Sequence, residues 1–220
     1  MRKNMKTIWL TRHGETQWNT VRRMQGQLNS PLTDNGIRQA EQLAKWLAKE
    51  DIDVIYTSPL ERAYKTALIL RGNRNIPVIS HVDLKEIHLG DWQGKCVSDV
   101  ERSEPEKHEA FWYMPDRYVA TSGEDFHDVR QRIQHFCEEV IAQEIHTNIL
   151  IVAHAIVLKS FIAYTQGLPI SELWSGIKLK PTSITKSMYN KDKFSYEYIG
   201  RVDHYQDQSN YDGWFIDDKK

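Results

Sequence analysis

Cysteine is scarce in this chain of 220 residues: Cys96 and Cys137 are the only two, and they form no C-x-x-C pair. Two thiols are too few for a disulfide framework in a chain this long, so a reducing cytoplasm is the expected compartment. An excess of charge is missing as well. Lys and Arg total 29 against 30 for Asp and Glu, a formal net charge of -1, which argues against a nucleic-acid partner or an anionic membrane surface. Any anion site must therefore be local. Long apolar runs are absent too: the stretch Ile149 to Ala153 stops at His154, whereas a spanning helix needs about 20 apolar residues. The basic start, Met1 to Lys6, is followed only by Ile8, Trp9 and Leu10, far short of a signal-peptide core. There is no internal repeat and no low-complexity segment. The expectation is a soluble, unprocessed chain whose length suits one core, with residues 1–220 as a single domain.

What is present is an alternation of short apolar runs and amphipathic segments. "KTIWLTRH" reads as a buried strand closed by Gly14, and residues 14–32 read as a long functional loop without sustained period. Thr33 caps a predicted helix to about Glu50, with Ile37, Ala40, Ala44 and Leu47 on one face. A second strand, "DVIYTS", leads into a helix that Pro59 should open, since its fixed φ suits a first turn. "IPVISHV" reads as a third strand and "LKEIHLGDWQGK" as a loop. Residues 96–122, broken by Pro105 and Pro115 and crowded with Phe111, Trp112, Tyr113 and Tyr118, read as an insertion or lid. A helix is predicted over about 123–145, then a buried strand "NILIVAH", a helix closed by Gly167, and two alternating strands joined by "NKDK" as a hairpin. The tail, 203–220, is polar with scattered aromatics. Strands alternating with helices imply a three-layer α/β/α domain with a mostly parallel central sheet, whose ligands gather beyond the carboxyl ends of the strands.

That edge collects chemistry. Arg12 and His13 follow the first strand, Arg62 stands one helical turn beyond the second, Glu86 follows the third and His154 ends the late one. Two arginines and two histidines with one carboxylate favour a doubly charged oxyanion, and the planar guanidinium matches phosphate. A histidine among cations loses its proton readily and becomes a nucleophile. Glu86, kept protonated by burial, can then protonate a departing alkoxide.

The blocks "RHGETQWN", "QGQLNSPLTDNGIRQA", "TSPLERAYKTA", "LKEIHLGDWQG", "SGEDFHDVRQRI" and "ILIVAHAIVLK" resemble, in order, those of the histidine phosphatase superfamily, the phosphoglycerate mutase-like family, over roughly residues 7–190. The resemblance implies the phosphoglycerate mutase-like fold and a phosphohistidine intermediate on His13. It implies a phosphate-binding set of Arg12, Asn19, Arg62 and His154, Glu86 as proton donor, and Gln25 and Gly26 as loop positions close to substrate. Glu124 matches a supporting position, and Glu15 is expected to brace the loop without reacting. No cofactor and no metal are implied. Two positions depart from the pattern: Ala155 stands where glycine commonly follows the second histidine, and Thr182 with Ser183 where asparagine often precedes a small hydroxyl residue.

The function expected is metal-independent hydrolysis of a phosphomonoester, a small phosphorylated metabolite. A phosphoglycerate mutase-type transfer is the rival within the family, and a non-catalytic phospholigand-binding module the rival outside catalysis. The plainer readings are buried core histidines for His13 and His154, an ordinary loop charge for Glu86, a helix-surface arginine for Arg62 and loop shaping for Asn19, Gln25 and Gly26. A metal reading of His81, Glu86 and His88 lacks H-x-x-x-H or cysteine-bearing spacing.

Overall fold

The apolar runs sort themselves by alternation. In a computed structural model, which describes residues 5–176 and 178–206, strand β1 (Lys6–Arg12) turns Ile8 and Leu10 to one face and Trp9 to the other. Strand β4 (Asn148–Ala153) sends Ile149 and Ile151 to the first face and Leu150 and Val152 to the second. Strands buried on both faces need cover on both, and this gives three layers. Helices α2 (Asp34–Leu47) and α3 (Glu61–Arg71) cover one face through Leu43, Leu47, Ala63, Ala67 and Leu70. Helices α6 (Phe126–His135) and α7 (Ala155–Thr165) cover the other through Val129, Ile133, Val157 and Phe161.

Among the described residues the sheet has six strands in the order β3-β2-β4-β1-β5-β6, with β2 at Val54–Thr57, β3 at Val78–Ser80, β5 at Ile184–Asn190 and β6 at Lys193–Arg201. Strands β3, β2, β4 and β1 pair in parallel, β5 is antiparallel to β1, and β6 is antiparallel to β5. Only β5 therefore runs against the rest. The "NKDK" hairpin is present, its tight turn made by Lys191 and Asp192 at φ of 47° and 64°. Among the described residues no helix is long and apolar enough to cross a membrane.

Several boundaries differ from the sequence reading for physical reasons. Helix α3 begins at Glu61 after the N-cap Leu60, so Pro59 lies ahead of its first turn; the Ser58 hydroxyl accepts from the Leu60 N–H and holds a bend there instead. Helix α2 ends at Leu47, and Ile37 on it is 38% exposed, the inward positions being Gly36, Gln39, Ala40, Leu43 and Leu47. The third strand shrinks to three edge residues. The 14–32 loop carries a single helical turn, α1 (Gln17–Thr20), closed by a reciprocal cap between Thr16 and Asn19. The 123–145 helix starts at Phe126 and finishes as a π-helical turn over Phe136–Ile141. Residues 96–122 hold two helices, α4 (Val97–Ser103) and α5 (Pro105–Tyr113), and Phe111, Trp112 and Tyr118 are buried in the core while Tyr113 is exposed. The part of the tail from 207 to 220 lies outside the described residues.

Candidate active site

The parallel register of β1 on β4 sets Arg12 beside Ala153, and one step further the His13 N–H donates to the Ala153 carbonyl at 3.0 Å. His13 and His154 thus leave the sheet side by side, with ring centroids 5.1 Å apart, although 141 positions separate them in the chain. On the other flank of β4, the Ser58 N–H donates to the Val152 carbonyl at 3.0 Å, which brings the start of α3 and Arg62 to the same edge.

All four basic groups are buried: Arg12 is 4% exposed, His13 3%, Arg62 2% and His154 0%. Arg12 donates to the Leu179 carbonyl at 3.1 Å. Arg62 donates to the Gly26 carbonyl at 2.7 Å and the Leu28 carbonyl at 2.8 Å, so the loop is wrapped around the guanidinium, while its Nε has no partner among the described residues. A helix-surface role for Arg62 is excluded by this burial. His13 Nδ1 lies 2.7 Å from the carbonyl of Gly14, an acceptor only, so Nδ1 carries the proton and the lone pair sits on Nε2. Its pKa is drawn well below the usual 6.5, first by burial and then by Arg62 and Arg12, with the Gly14 contact opposing. Desolvation, more than neighbouring cations, keeps the ring neutral. His154 is lowered likewise, first by burial, then by Arg62, His13, Arg12 and Arg132. Arg62 is drawn down by burial to about 10, with Glu86 opposing and Arg12 adding to the fall, and remains cationic at neutral pH.

Glu86 lines the same cavity and is half-buried there. Its Oε1 accepts from the Ile87 N–H at 3.0 Å and its Oε2 from the Ile156 N–H at 3.4 Å in the first turn of α7. Burial raises its pKa above 4.5 against the opposing pull of the Ile87 N–H, Arg62, the Ile156 N–H and Arg132. Glu124 accepts from the His88 N–H and pairs with Arg132, which in turn donates to the Asp83 carbonyl; it pins the segment carrying Glu86 from behind. Glu15 accepts from the Thr33 hydroxyl at 2.7 Å, tying the loop to the start of α2.

The remaining sequence-predicted positions also meet here. Asn19, Gln25 and Gly26 line the cavity. Asn19 Oδ1 accepts from the Thr16 N–H at 3.0 Å, and Gln25 donates to the Thr16 hydroxyl at 2.7 Å. Gly26 has φ of 53°, and a Cβ there would strike the Gln93 side chain. His81, Glu86 and His88 do not gather: among the described residues no group of three or more His, Cys, Asp or Glu is placed to hold a metal ion. Thr182 adopts φ of 53° while its N–H donates to the Arg12 carbonyl at 3.0 Å, which explains why asparagine, at ease in left-handed backbone, suits this position elsewhere.

The cavity encloses about 60 Å³ over a floor of Arg12, His13 and Arg62, and one wall is apolar: Met24, Ile87, Leu89, Phe111, Trp112, Ile156 and Trp174. Trp174 escaped the sequence reading because it lies in a loop outside every motif block. It donates from Nε1 to the Phe111 carbonyl at 2.7 Å and its ring lies 4.9 Å from that of Trp112. Ser58, 2.8 Å from Nε2 of His154, lies in the "TSPLERAYKTA" segment, whose pattern points to Arg62 and gives the serine no role of its own.

A three-layer fold that sets two neutral histidines between two guanidiniums, with a carboxyl group opposite, defines a phosphoryl-handling protein. The profile of the histidine phosphatase superfamily (branch 1) matches residues 8–201, and the chain belongs to that superfamily. It is similar to phosphoserine phosphatase 1 of Hydrogenobacter thermophilus, 34% identical over 78% of this chain and 81% of the relative. It is similar also to the adenosylcobalamin/alpha-ribazole phosphatase of Escherichia coli, 34% identical over 76% and 82%. Among solved structures, YhfR of Bacillus stearothermophilus superposes with a TM-score of 0.88 at 40% identity, covering 90% of this chain and 98% of that one. The chain is a phosphatase, a phosphoric monoester hydrolase of small phosphorylated metabolites.

Proposed function

We propose that His13 is the nucleophile of a two-step phosphomonoester hydrolysis, and the observation that carries this is the Nδ1–Gly14 contact that leaves the Nε2 lone pair free. Nε2 attacks phosphorus and the P–O bond to the alcohol breaks. Charge on the equatorial oxygens is held by Arg12 and Arg62 in the cavity lining, by His154 beside the His13 ring although it does not itself line the cavity, and by the amino end of α7, aided by Asn19. Glu86 gives its proton to the departing alkoxide. In the second step its carboxylate takes a proton from water, whose oxygen attacks phosphorus as the P–N bond breaks, and His13 returns to the neutral state. Gln25 and Gly26 shape the loop that Arg62 braces. No step calls on a metal or cofactor.

The aromatic wall supports a further reading of the substrate. Besides Arg12, Arg62 and Glu86, the charged side chain lining the cavity is Arg23, which is exposed, whereas Trp112, Trp174 and Phe111 present ring surface. Such a wall favours an ester whose alcohol carries an apolar or aromatic portion. The described chain acts as one domain in which the 96–122 insertion contributes Phe111 and Trp112 to this wall. A reducing cytoplasm is the proposed compartment, supported by Cys96 and Cys137 both being free.

Para-nitrophenyl phosphate tests the reading. Wild-type protein should release phenolate with chelator present, and His13→Ala should lose turnover yet still bind inorganic phosphate; substantial turnover by His13→Ala would refute the nucleophile. With 3-phosphoglycerate, release of inorganic phosphate supports the hydrolase and appearance of the 2-isomer supports a mutase.

A further inference from the structure

Next to Trp174 a second cavity, of about 160 Å³, opens between α7, the 168–179 segment and β6. Its walls are largely apolar, Ile162, Ala163, Leu168, Leu173, Leu179 and Ile199, with Gln166, Glu172 and Ser175 as the polar members. One cation enters this lining. Lys159, on α7, is 7% exposed, and its Nζ donates to the Ser175 carbonyl at 3.2 Å and lies 6.0 Å from the centre of the Trp174 ring. Burial draws its pKa down to about 8 and no carboxylate pulls it back, so it is still largely charged at neutral pH. Glu172 stands on the exposed rim and, among the described residues, makes no ion pair with Lys159. Lys159 is also absent from the lining of the cavity over His13, so the phosphatase chemistry gives no reason for a buried amine here. Among the described residues this ammonium meets a neutral carbonyl and the Trp174 ring but no carboxylate, and a buried charge so placed is costly to keep unless an anion joins it.

We propose that this cavity is a second ligand site, taking a small apolar monocarboxylate with its carboxylate on Lys159 Nζ and its hydrocarbon against Ile162, Leu168 and Leu179. Volume sets the size: an apolar cavity of about 150 Å³ accepts benzene, so one ring or a branched chain of similar bulk fits. Charge sets the class. A single amine without a guanidinium fork suits one negative charge, whereas a phosphate dianion is better met by Arg12 and Arg62. The site adjoins the catalytic one through shared residues: Leu179, a wall here, accepts from Arg12 through its carbonyl, and Trp174 lines the catalytic cavity. The inference does not depend on the role of His13.

Benzoate is the probe, titrated calorimetrically into the full chain with saturating inorganic phosphate present to occupy the arginine pocket. One benzoate should bind per chain. Benzyl alcohol, the same ring without the charge, should bind at least tenfold more weakly, and Lys159→Met should weaken benzoate at least tenfold. Ile199→Trp, which narrows the cavity from β6 and keeps the amine, should weaken it as well. Absence of binding to the wild type, displacement by phosphate, equal affinity for the alcohol, or affinity unchanged in both variants would each overturn the proposal.

Discussion

The hydroxyl of Ser58 lies 2.8 Å from Nε2 of His154, and the same oxygen accepts from the Leu60 N–H at 3.2 Å. Among the described residues the Ser58 hydroxyl proton has no other acceptor, so it is directed at the imidazole. His154 is neutral and carries one N–H, which must then sit on Nδ1, a buried atom with no partner among the described residues. Ser58 thereby chooses the tautomer that can donate to a phosphoryl oxygen beside His13.

Ser58→Ala should release that choice. Loss of one aimed hydrogen bond of about 1 kcal/mol predicts a fall of roughly five- to tenfold in kcat, with Ser58→Thr near wild type. Nitrogen-15 shifts of His154 provide the direct check: the Nδ1–H tautomer should dominate in the wild type and give way to a mixture in Ser58→Ala.

Acidity should shape the rate from both sides. In the proposed mechanism His13 must be neutral to attack, and its pKa lies well below 6.5, so activity should rise with pH through that low value, with the acid limb far to the acid side of free histidine. Glu86 must be protonated in the first step, and its pKa lies above 4.5, so activity falls as pH climbs through the raised value. A kcat/KM profile should therefore be a bell, with His13 setting the acid limb and Glu86 the alkaline one. Glu86→Gln should lower the maximum about a hundredfold or more and change the alkaline limb while leaving the acid limb in place.

Selectivity should reside in the indole wall. Trp174→Ala removes ring surface and the bond to the Phe111 carbonyl together, and should cut kcat/KM about tenfold for phenyl phosphate, equivalent to about 1.4 kcal/mol, with little change for glycerol 3-phosphate. Trp174→Phe keeps a ring and loses the bond, so its discrimination should fall between the two. Equal losses on both esters would show that the wall sets position alone.

Stability can be gained at Thr182. A β-branched residue at φ of 53° is strained, and asparagine adopts that backbone more readily, so Thr182→Asn should raise stability by about 1 kcal/mol. Thermal unfolding measures it directly: the midpoint should rise by a few degrees.

The polar cluster was legible because each of its members sits within a few residues of a strand end inside a motif block: Arg12 and His13 at the end of β1, Arg62 shortly after β2, His154 after β4, Glu86 in the loop that follows β3. Periodicity also located the helices, since α2 and α6 each carry one apolar stripe. Other features depend on contacts that no local pattern encodes. Trp174 meets Trp112 across 62 positions, and the Ser58–His154 bond spans 96. Ile37 fits the helical stripe of α2 yet faces solvent, because the first turn is turned by Gly36 packing on the catalytic loop. The weight of burial over cations in setting the His13 pKa required the three-dimensional enclosure, and so did the isolation of Lys159.

That packing of Gly36 is reciprocal. A Cβ on Gly14 would collide with the Gly36 carbonyl, and a Cβ on Gly36 would collide with the Glu15 backbone. The joint between the loop that follows His13 and α2 is thus backbone on backbone, with no clearance, and no side-chain change can adjust it by small steps. Divergence toward new substrates is channelled away from this side of the site. It is left to the opposite wall, where Trp112, Trp174 and Ile156 meet through side chains that can be exchanged one at a time while His13 stays where the two glycines hold it.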